Sequence, residues 1–339
     1  MSQAVILAAG KSTRTYPLTI TRPKSLIKIA NKPVLQYNLE QLAGLVDEVI
    51  VIVGYKADMI KDHFGSEFEG MKITYVEQKE QLGTGHALMQ VRDHIQDRFV
   101  VLMGDDIYMS SAIKECLNYE YSLLVEFVDD PSRFGVFLTE NGFVKGFEEK
   151  PERPVSNLAN AGLYVLDKKI FDELDLVDKS ARGEYELTDA ILSLSKKDKI
   201  KCIEVKDSWI TIGYPKDILA AQARFLKDSG NENVIGKSSI DEESKITGCS
   251  IGDNCEIKNS VIRNSLILDS VNIEGAVITN SIIGDKVSIS QGTKILENGL
   301  GAVIGDDCKI APKTVIHPGV RIWPGKQTEN GEVVNQDKT

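Results

Sequence analysis

The chain has 339 residues, 27% of them charged and 42% hydrophobic, with a formal net charge of −10 at pH 7. That length supports two domains with a sizeable core, and the acidic balance argues against a nucleic-acid partner or an anionic membrane surface. No apolar run reaches the roughly eighteen residues of a membrane span. Cys116, Cys202, Cys249, Cys255 and Cys308 form no C-x-x-C pair, which speaks against a zinc or redox motif and fits a reducing cytoplasm. No secretory leader opens the chain, so a cytoplasmic location is expected.

Residues 4–9 are an apolar run that leads straight into Gly10, the pattern of a buried parallel strand ending in a tight loop. Small residues follow, and Arg14, Arg22 and Lys24 add three cations close together. Backbone N–H groups of such a loop approach an anion closely, so a polyphosphate is the expected partner. Leu35, Leu39 and Leu42 then mark one face of a helix opened by Pro33. A strand at 49–53, a helix at 58–64 and a strand at 72–76 follow. Next comes the Gln78–Gly85 loop, a helix reaching to about Ile95, and a strand at 99–103 ending in Gly104-Asp105-Asp106. Strand–helix alternation of this kind builds a Rossmann-like, mostly parallel α/β sheet with ligands at the carboxyl ends of its strands. Gly10, the Gln81-Leu-Gly-Thr-Gly loop and Asp105 all fall at such ends. Residues 121–225 mix helices with strands at 123–128, 135–138, 142–148 and 162–165, expected as antiparallel extensions.

From 234 onward the pattern changes. Ile-Gly recurs at 235, 251, 283 and 304, and aliphatics return every five or six residues, from Ile240 and Ile246 through Ile289 to Ile304, Ile310, Val315 and Val320. Helical spacing does not explain this, whereas short stacked rungs do, so a parallel β-solenoid is expected over 234–325. Residues 226–233 are expected as a linker, with the first domain covering 1–227, and the polar tail 326–339 is expected to fray.

Leu7-Ala8-Ala9-Gly10-x-x-Thr13-Arg14-x-x-Pro17 followed by Arg22-Pro23-Lys24 resembles the signature of the sugar-phosphate nucleotidyltransferases, with Ser12 at the usual second glycine. The solenoid resembles their carboxy-terminal left-handed β-helix of hexapeptide repeats, several rungs here being five residues long. The resemblance implies an enzyme that joins a nucleoside triphosphate to a sugar 1-phosphate and releases pyrophosphate. It implies Arg14 on the leaving phosphates, Lys24 on the attacking sugar phosphate and Asp105 on Mg2+. Leu7, Ala8, Ala9, Gly10, Thr13, Gln78, Gln81, Gly83 and Thr84 fall at nucleotide-side positions. Gln81-Leu-Gly-Thr-Gly-His-Ala is similar to the base loop of N-acetylglucosamine-1-phosphate uridylyltransferases. UTP or dTTP, with glucose 1-phosphate or N-acetylglucosamine 1-phosphate, is therefore expected, and His86 is expected to pack rather than act as a base. Gly135, Glu148, Glu149, Lys150, Asn160, Glu186 and Thr188 fall on the sugar side, and strand alternation lets only one of the two glutamates face it.

One position departs from the family pattern. Trp209-Ile-Thr211-Ile-Gly213 stands where the family has Trp-x-Asp-x-Gly, so the second metal ligand would be the neutral Thr211. The closing Gly-Val-Arg-Ile-Trp-Pro-Gly-Lys resembles the end of mannose-1-phosphate guanylyltransferases, which keeps that activity open. Thr211 in place of the carboxylate keeps a non-catalytic nucleotide-sugar-binding homologue open, whereas the short solenoid with His317 as its only histidine speaks against the bifunctional alternative with acetyl transfer. The β-helix is expected to make a homo-oligomer.

Overall fold

In a computed structural model that describes residues 2–339, the chain divides into two compact units. One comprises residues 2–10 with Leu35–Thr211, the other Lys11–Val34 with Ile212–Thr339.

The first unit is built on a ten-stranded sheet: β1 (Gln3–Ala8), β2 (Glu48–Val53), β3 (Glu67–Phe68), β4 (Met71–Glu77), β5 (Phe99–Met103), β6 (Ser122–Phe127), β7 (Gly135–Glu140), β8 (Phe143–Glu149), β9 (Leu158–Leu166) and β10 (Lys201–Glu204). They lie in the order β7-β8-β10-β6-β9-β5-β1-β2-β4-β3. β1 runs parallel to both β2 and β5, and β2 parallel to β4. Every residue of β1 and β2 is buried, as a strand covered on both faces must be. The parallel order stops at β5. β9 is antiparallel to β5 and β6, and β7 and β8 pair antiparallel, while β10 lies parallel to β6. The sheet is thus parallel where strand and helix alternate and mixed elsewhere. Helix α1 (Val34–Leu42) buries Leu35, Leu39 and Leu42 completely, each worth about 1.5–3 kcal/mol of transfer free energy. The helices α2 (Ala57–Phe64), α3 (Thr84–Met89) and α4 (Ser110–Leu117) follow, then α5 (Lys169–Leu174) and α6 (Leu187–Ser195). α3 is shorter than its sequence pattern implies and gives way to a 3-10 turn at Arg92–His94.

The second unit holds three short 3-10 turns between Thr13 and Leu26, helix α7 (Pro215–Asp228) and the solenoid. Two-residue and three-residue strands stack into three sheets whose pairings are all parallel, the layout of a left-handed β-helix. Ile251, Ile267 and Ile283 pair in succession, as do Ile257, Ile273 and Ile289, and Ile262 with Ile278. Coils repeat at 16 residues here and stretch to 21 between Ile283 and Ile304. The inward aliphatics are completely or almost completely buried and form one continuous core with Cys249, Cys255 and Cys308. Serines tie coil to coil at another corner: Ser260 N–H donates to Ser244 Oγ and Ala276 N–H to Ser260 Oγ, both at 3.1 Å.

Two sequence expectations are corrected here. In the last coils Ile316 and Ile322 are the inward strand residues, and Val315 is only half-buried, because the step lengthens there. The tail does not fray. Val333–Val334 pairs parallel with Val315–Ile316, Val334 is buried, and Trp323 N–H donates to Lys338 O at 2.8 Å.

Candidate active site

The carboxyl ends of the parallel strands are locked together by backbone hydrogen bonds. Gly104 N–H donates to Leu7 O at 2.9 Å, Tyr55 N–H to Ala9 O at 3.1 Å and Gln78 N–H to Val53 O at 2.8 Å. Leu7, Ala8 and Ala9 are buried, whereas Gly10 is exposed and has open space where a Cβ would stand.

The expected base loop is rigid. Gln78 is buried, and its Nε2 donates to Gly83 O at 3.1 Å and meets His86 Nδ1 at 3.0 Å. Both amide hydrogens are thereby engaged when His86 Nδ1 accepts, which leaves Gln78 Oε1 as the acceptor end. His86 therefore does more than pack: it orients Gln78 while stacking on Tyr185. Gly83 has φ +102, and a Cβ there would lie 2.6 Å from Tyr185 O. The loop is zipped to residues 185–187. Tyr185 N–H donates to Leu82 O and Gly85 N–H to Tyr185 O, both at 2.8 Å, and Leu187 N–H donates to Thr84 Oγ1 at 3.1 Å. Gln81 is exposed at the loop's tip. Thus residues 81–84 and Glu186-Leu-Thr188, assigned from sequence to opposite substrates, are directly bonded neighbours.

Asp105 follows β5, half-buried. Its neighbour Asp106 is a structural clamp: its Oδ2 accepts from Trp209 Nε1 at 2.9 Å, and its backbone O from Asn38 Nδ2 at 2.8 Å. Asn38 Oδ1 also accepts from Tyr108 N–H at 3.2 Å. Ile107–Tyr108 pairs antiparallel with Trp209–Ile210, Ile210 opposite Ile107. Thr211 is the next residue of that strand, so the pairing carries it to the same end as Asp105 and Asp106. No cluster of three His, Cys, Asp or Glu side chains suited to a metal occurs among the described residues. Asn38 was not singled out from sequence, although a polar residue inside the Leu35–Leu39–Leu42 face is the signal that could have found it.

On the expected sugar side, Gly135 faces Glu149 in register, and a Cβ on Gly135 would strike the Phe147 ring and lie 2.8 Å from Glu149 Oε2. Glu149 thus shares the Phe147 face. It pairs with Arg182 Nη1 at 3.4 Å and with Lys150 at 3.6 Å. Arg182 Nη2 also reaches Glu186 Oε1 at 2.8 Å, and Glu186 accepts from Ser180 Oγ at 2.9 Å. Burial and then the Glu186 carboxylate lift the Asp189 carboxyl above its ordinary value, while Arg182 pulls it back and Glu149 adds to the lift. Glu149, rather than Glu148, is therefore the glutamate that joins Glu186 and Asp189. Asn160 is held by the Tyr164 hydroxyl at 2.7 Å and accepts from Gly162 N–H at 3.0 Å. Lys150 is exposed and has φ 44; Thr188 is half-buried. Tyr185 was missed because it works through contacts distant in sequence, and Arg182 because the local pair with Glu186 gains its meaning only from the distant Glu149.

In the second unit, Ser12 takes a left-handed conformation before the single turn Thr13–Thr15, and its carbonyl accepts from the Thr15 and Thr19 hydroxyls at 2.8 Å each. Thr13 and Arg14 are exposed, and the Arg14 guanidinium lies 5.5 Å from the centre of the Tyr214 ring. Lys24 is buried. Arg22, grouped with these cations from sequence, is corrected. It is buried in ion pairs with Asp285, at 2.9 Å, and Asp306, so its charge is already matched within the protein.

A doubly covered parallel sheet with a loop-lined carboxyl edge, followed by a β-helix, defines a class of two-part nucleotide-handling proteins. The chain belongs to the nucleotidyl transferase family, whose model matches residues 3–228. The GMPPB C-terminal domain model matches residues 229–337. The bifunctional protein GlmU of Methanocaldococcus jannaschii is 43% identical over 247 residues, covering 72% of this chain and 59% of that protein. The chain thus spans about three-fifths of the length of GlmU relatives of this kind. UTP–glucose-1-phosphate uridylyltransferase AglF of Haloferax volcanii is 40% identical over 238 residues, which cover 67% of this chain and 98% of that protein. The crystal structure of a UDP-glucose pyrophosphorylase complexed with UDP-glucose superposes with a TM-score of 0.62 at 25% identity. It covers 67% of this chain and 99% of its own. No helix of the described residues is long and apolar enough to cross a membrane.

Proposed function

We propose that this chain transfers a uridylyl (or thymidylyl) group from the nucleoside triphosphate to glucose 1-phosphate or N-acetylglucosamine 1-phosphate, releasing pyrophosphate. The observation that carries this reading is the Gln78–Gly83–His86 arrangement. Gln78 offers a fixed acceptor, its amide hydrogens held by Gly83 O and His86 Nδ1, which suits the N3–H donor of uracil or thymine. The relatives' names point to the same chemistry. The sugar phosphate oxygen attacks the α-phosphorus in line, and pyrophosphate departs with the electrons of the broken P–O bond. Positioning and charge neutralisation are the main tasks of such a site. Arg14 binds the leaving phosphates and Lys24 the attacking phosphate. Leu7–Gly10 with Thr13 line the triphosphate, Gln81 and Thr84 flank the base, and Gly135, Glu149, Lys150, Asn160, Glu186 and Thr188 hold the sugar, with Glu148 turned away.

A single carboxylate beside a neutral hydroxyl fits Mg2+, which takes most of its oxygens from water and phosphate. Asp105, with Thr211, would hold it, and it would neutralise charge on the triphosphate. The five cysteines are free thiols, in keeping with work in the cytoplasm. The outward valines Val277 and Val333, on one sheet of the β-helix, are exposed and favour a homo-oligomer.

The GMPPB-type match at 229–337 favours a second reading, transfer from GTP to mannose 1-phosphate. A pyrophosphate-release panel separates the two: UTP, dTTP, GTP and ATP against glucose, N-acetylglucosamine, mannose and galactose 1-phosphates. Turnover with UTP or dTTP above the purine nucleotides supports the first reading. GTP with mannose 1-phosphate as the best pair replaces it with the second, and no turnover with any pair leaves a binding protein.

A further inference from the structure

One corner of the β-helix carries an aspartate on each of four successive coils: Asp253, Asp269, Asp285 and Asp306. Each uses Oδ1 to accept a backbone N–H from the coil before it. Lys237 donates to Asp253 at 2.7 Å, Asp253 to Asp269 at 2.9 Å, Asp269 to Asp285 at 2.8 Å and Asp285 to Asp306 at 2.8 Å. These bonds fix the carboxylates and commit Oδ2 to a different direction. Three of the Oδ2 atoms meet cations of the signature segment. Lys28 Nζ lies 2.5 Å from Asp269 Oδ2, and Arg22 Nη2 bridges Asp285 Oδ2, at 2.9 Å, and Asp306 Oδ2. Asn31 Nδ2 adds a tie to Ile251 O at 2.6 Å.

Like charges stacked on adjacent coils repel, so the ladder gains from cations supplied by another part of the chain. The match is one-sided: burial outweighs Arg22 at Asp285 and leaves that carboxyl above its ordinary value, while the guanidinium gains from the pair. Burial disfavours the Arg22 charge, yet Asp306 and Asp285 outweigh it and hold the guanidinium above its ordinary value. Pro23 alone separates Arg22 from Lys24, and a proline has little play in φ. Pro23 removes one soft torsion between the two, so a gripped Arg22 narrows where Lys24 can sit.

We propose that the aspartate ladder is a positioning device: by gripping Arg22 and Lys28 it fixes the segment that carries Arg14 and Lys24. The proposal rests on the nucleotidyl-transfer reading above, in which those two cations touch the substrates. Arg22, Lys28, Asp269, Asp285 and Asp306 act through them and are positioning residues.

The test uses the full chain with Asp285→Asn and Arg22→Gln. Asparagine keeps an Oδ1 acceptor for the Asp269 N–H but turns an amide donor toward Arg22, so both the charge and the acceptor that grip the guanidinium are lost. The first readout is hydrogen exchange without substrates. Amides within 11–34, such as Leu26 and Ile27, which bond to Pro23 O and Lys24 O, should exchange about tenfold faster, while strands 250–322 keep wild-type protection. The second is kinetic. kcat/KM should fall about tenfold through the KM of both substrates, Arg22→Lys should recover part of it, and the double variant should be no worse than the poorer single one. If Arg22→Gln does not fold, Lys28→Met at the other end of the latch gives the same exchange result. Unchanged exchange in 11–34 overturns the latch, as does uniform acceleration across the β-helix. Faster exchange with wild-type kcat/KM overturns the positioning role. Should the wild-type chain release no pyrophosphate with any pair, the functional reading fails, and exchange still decides the latch.

Discussion

Replacing Gly83 by alanine strikes the loop proposed to read the base. The residue sits at φ 102, ψ 175, a region that is essentially glycine-only. Adopting it costs a non-glycine residue about 1–3 kcal/mol. The new methyl would stand 2.6 Å from Tyr185 O and 2.9 Å from Tyr185 N and Glu184 Cβ. Backbone surrounds it, so the loop must part from residues 184–187. The pairs Tyr185 N–H to Leu82 O and Gly85 N–H to Tyr185 O would then be lost or stretched, at about 0.5–1.5 kcal/mol each. Together these amount to about 2–6 kcal/mol, and about 1.4 kcal/mol is tenfold in an equilibrium. With about half of this appearing as lost stability, kcat/KM for the nucleotide should fall about 5- to 150-fold. Steady-state pyrophosphate release, with the nucleotide and the sugar phosphate varied in turn, reads the effect, and a thermal melt checks the fold. A Gly83→Ala enzyme with wild-type kcat/KM for the nucleotide would refute the argument that this conformation builds the base pocket.

Further outcomes follow from the same structure. Arg14→Ala should raise the KM for the nucleoside triphosphate and Lys24→Met that for the sugar phosphate, each about 10- to 100-fold for one charge-assisted contact. Equal effects of both variants on both substrates would contradict the division of roles. Gly10→Ala meets no protein atom within 4 Å, so its melting temperature should match wild type while its nucleotide KM rises; a lowered melting temperature would show a packing role instead. Glu48 is buried, and although burial pushes its pKa up, hydrogen bonds from Lys72, Thr74 and Gln3 outweigh that and hold it below its ordinary value. Its contribution, about 1–2 kcal/mol, is therefore complete above the ordinary glutamate value of about 4.3 and is lost as pH falls through the lowered folded-state value. Glu48→Gln should melt below wild type at pH 7, with the gap closing toward pH 3, and a gap independent of pH would contradict the assignment.

Periodic features were legible from the sequence because burial writes them there directly. The apolar run at 4–9 appears as the strand Gln3–Ala8, and the buried Leu35–Leu39–Leu42 face and the five- and six-residue rungs reappear in place. Local pattern also placed Gln78 and Gly83 in one loop. What could not be read was pairing at a distance. Arg22 has the same composition cues as Arg14, and only the coils at Asp285 and Asp306 show that its charge is spent. His86 looks like an ordinary helix residue until Gln78 is found beside it. The last coils and the tail misled for another reason. Their step length changes, and a polar segment with two valines can still add strands to an open β-helix edge.

In the proposed function, Asp105 serves a metal-dependent transfer of a nucleotidyl group to a sugar phosphate. Pyrophosphate release by Asp105→Ala, measured at saturating UTP, sugar phosphate and Mg2+ in a variant that melts like wild type, tests it most directly. Turnover should fall by about 100-fold or more, the scale of removing a charged contact made at the reacting phosphates. Turnover within a few-fold of wild type would contradict it.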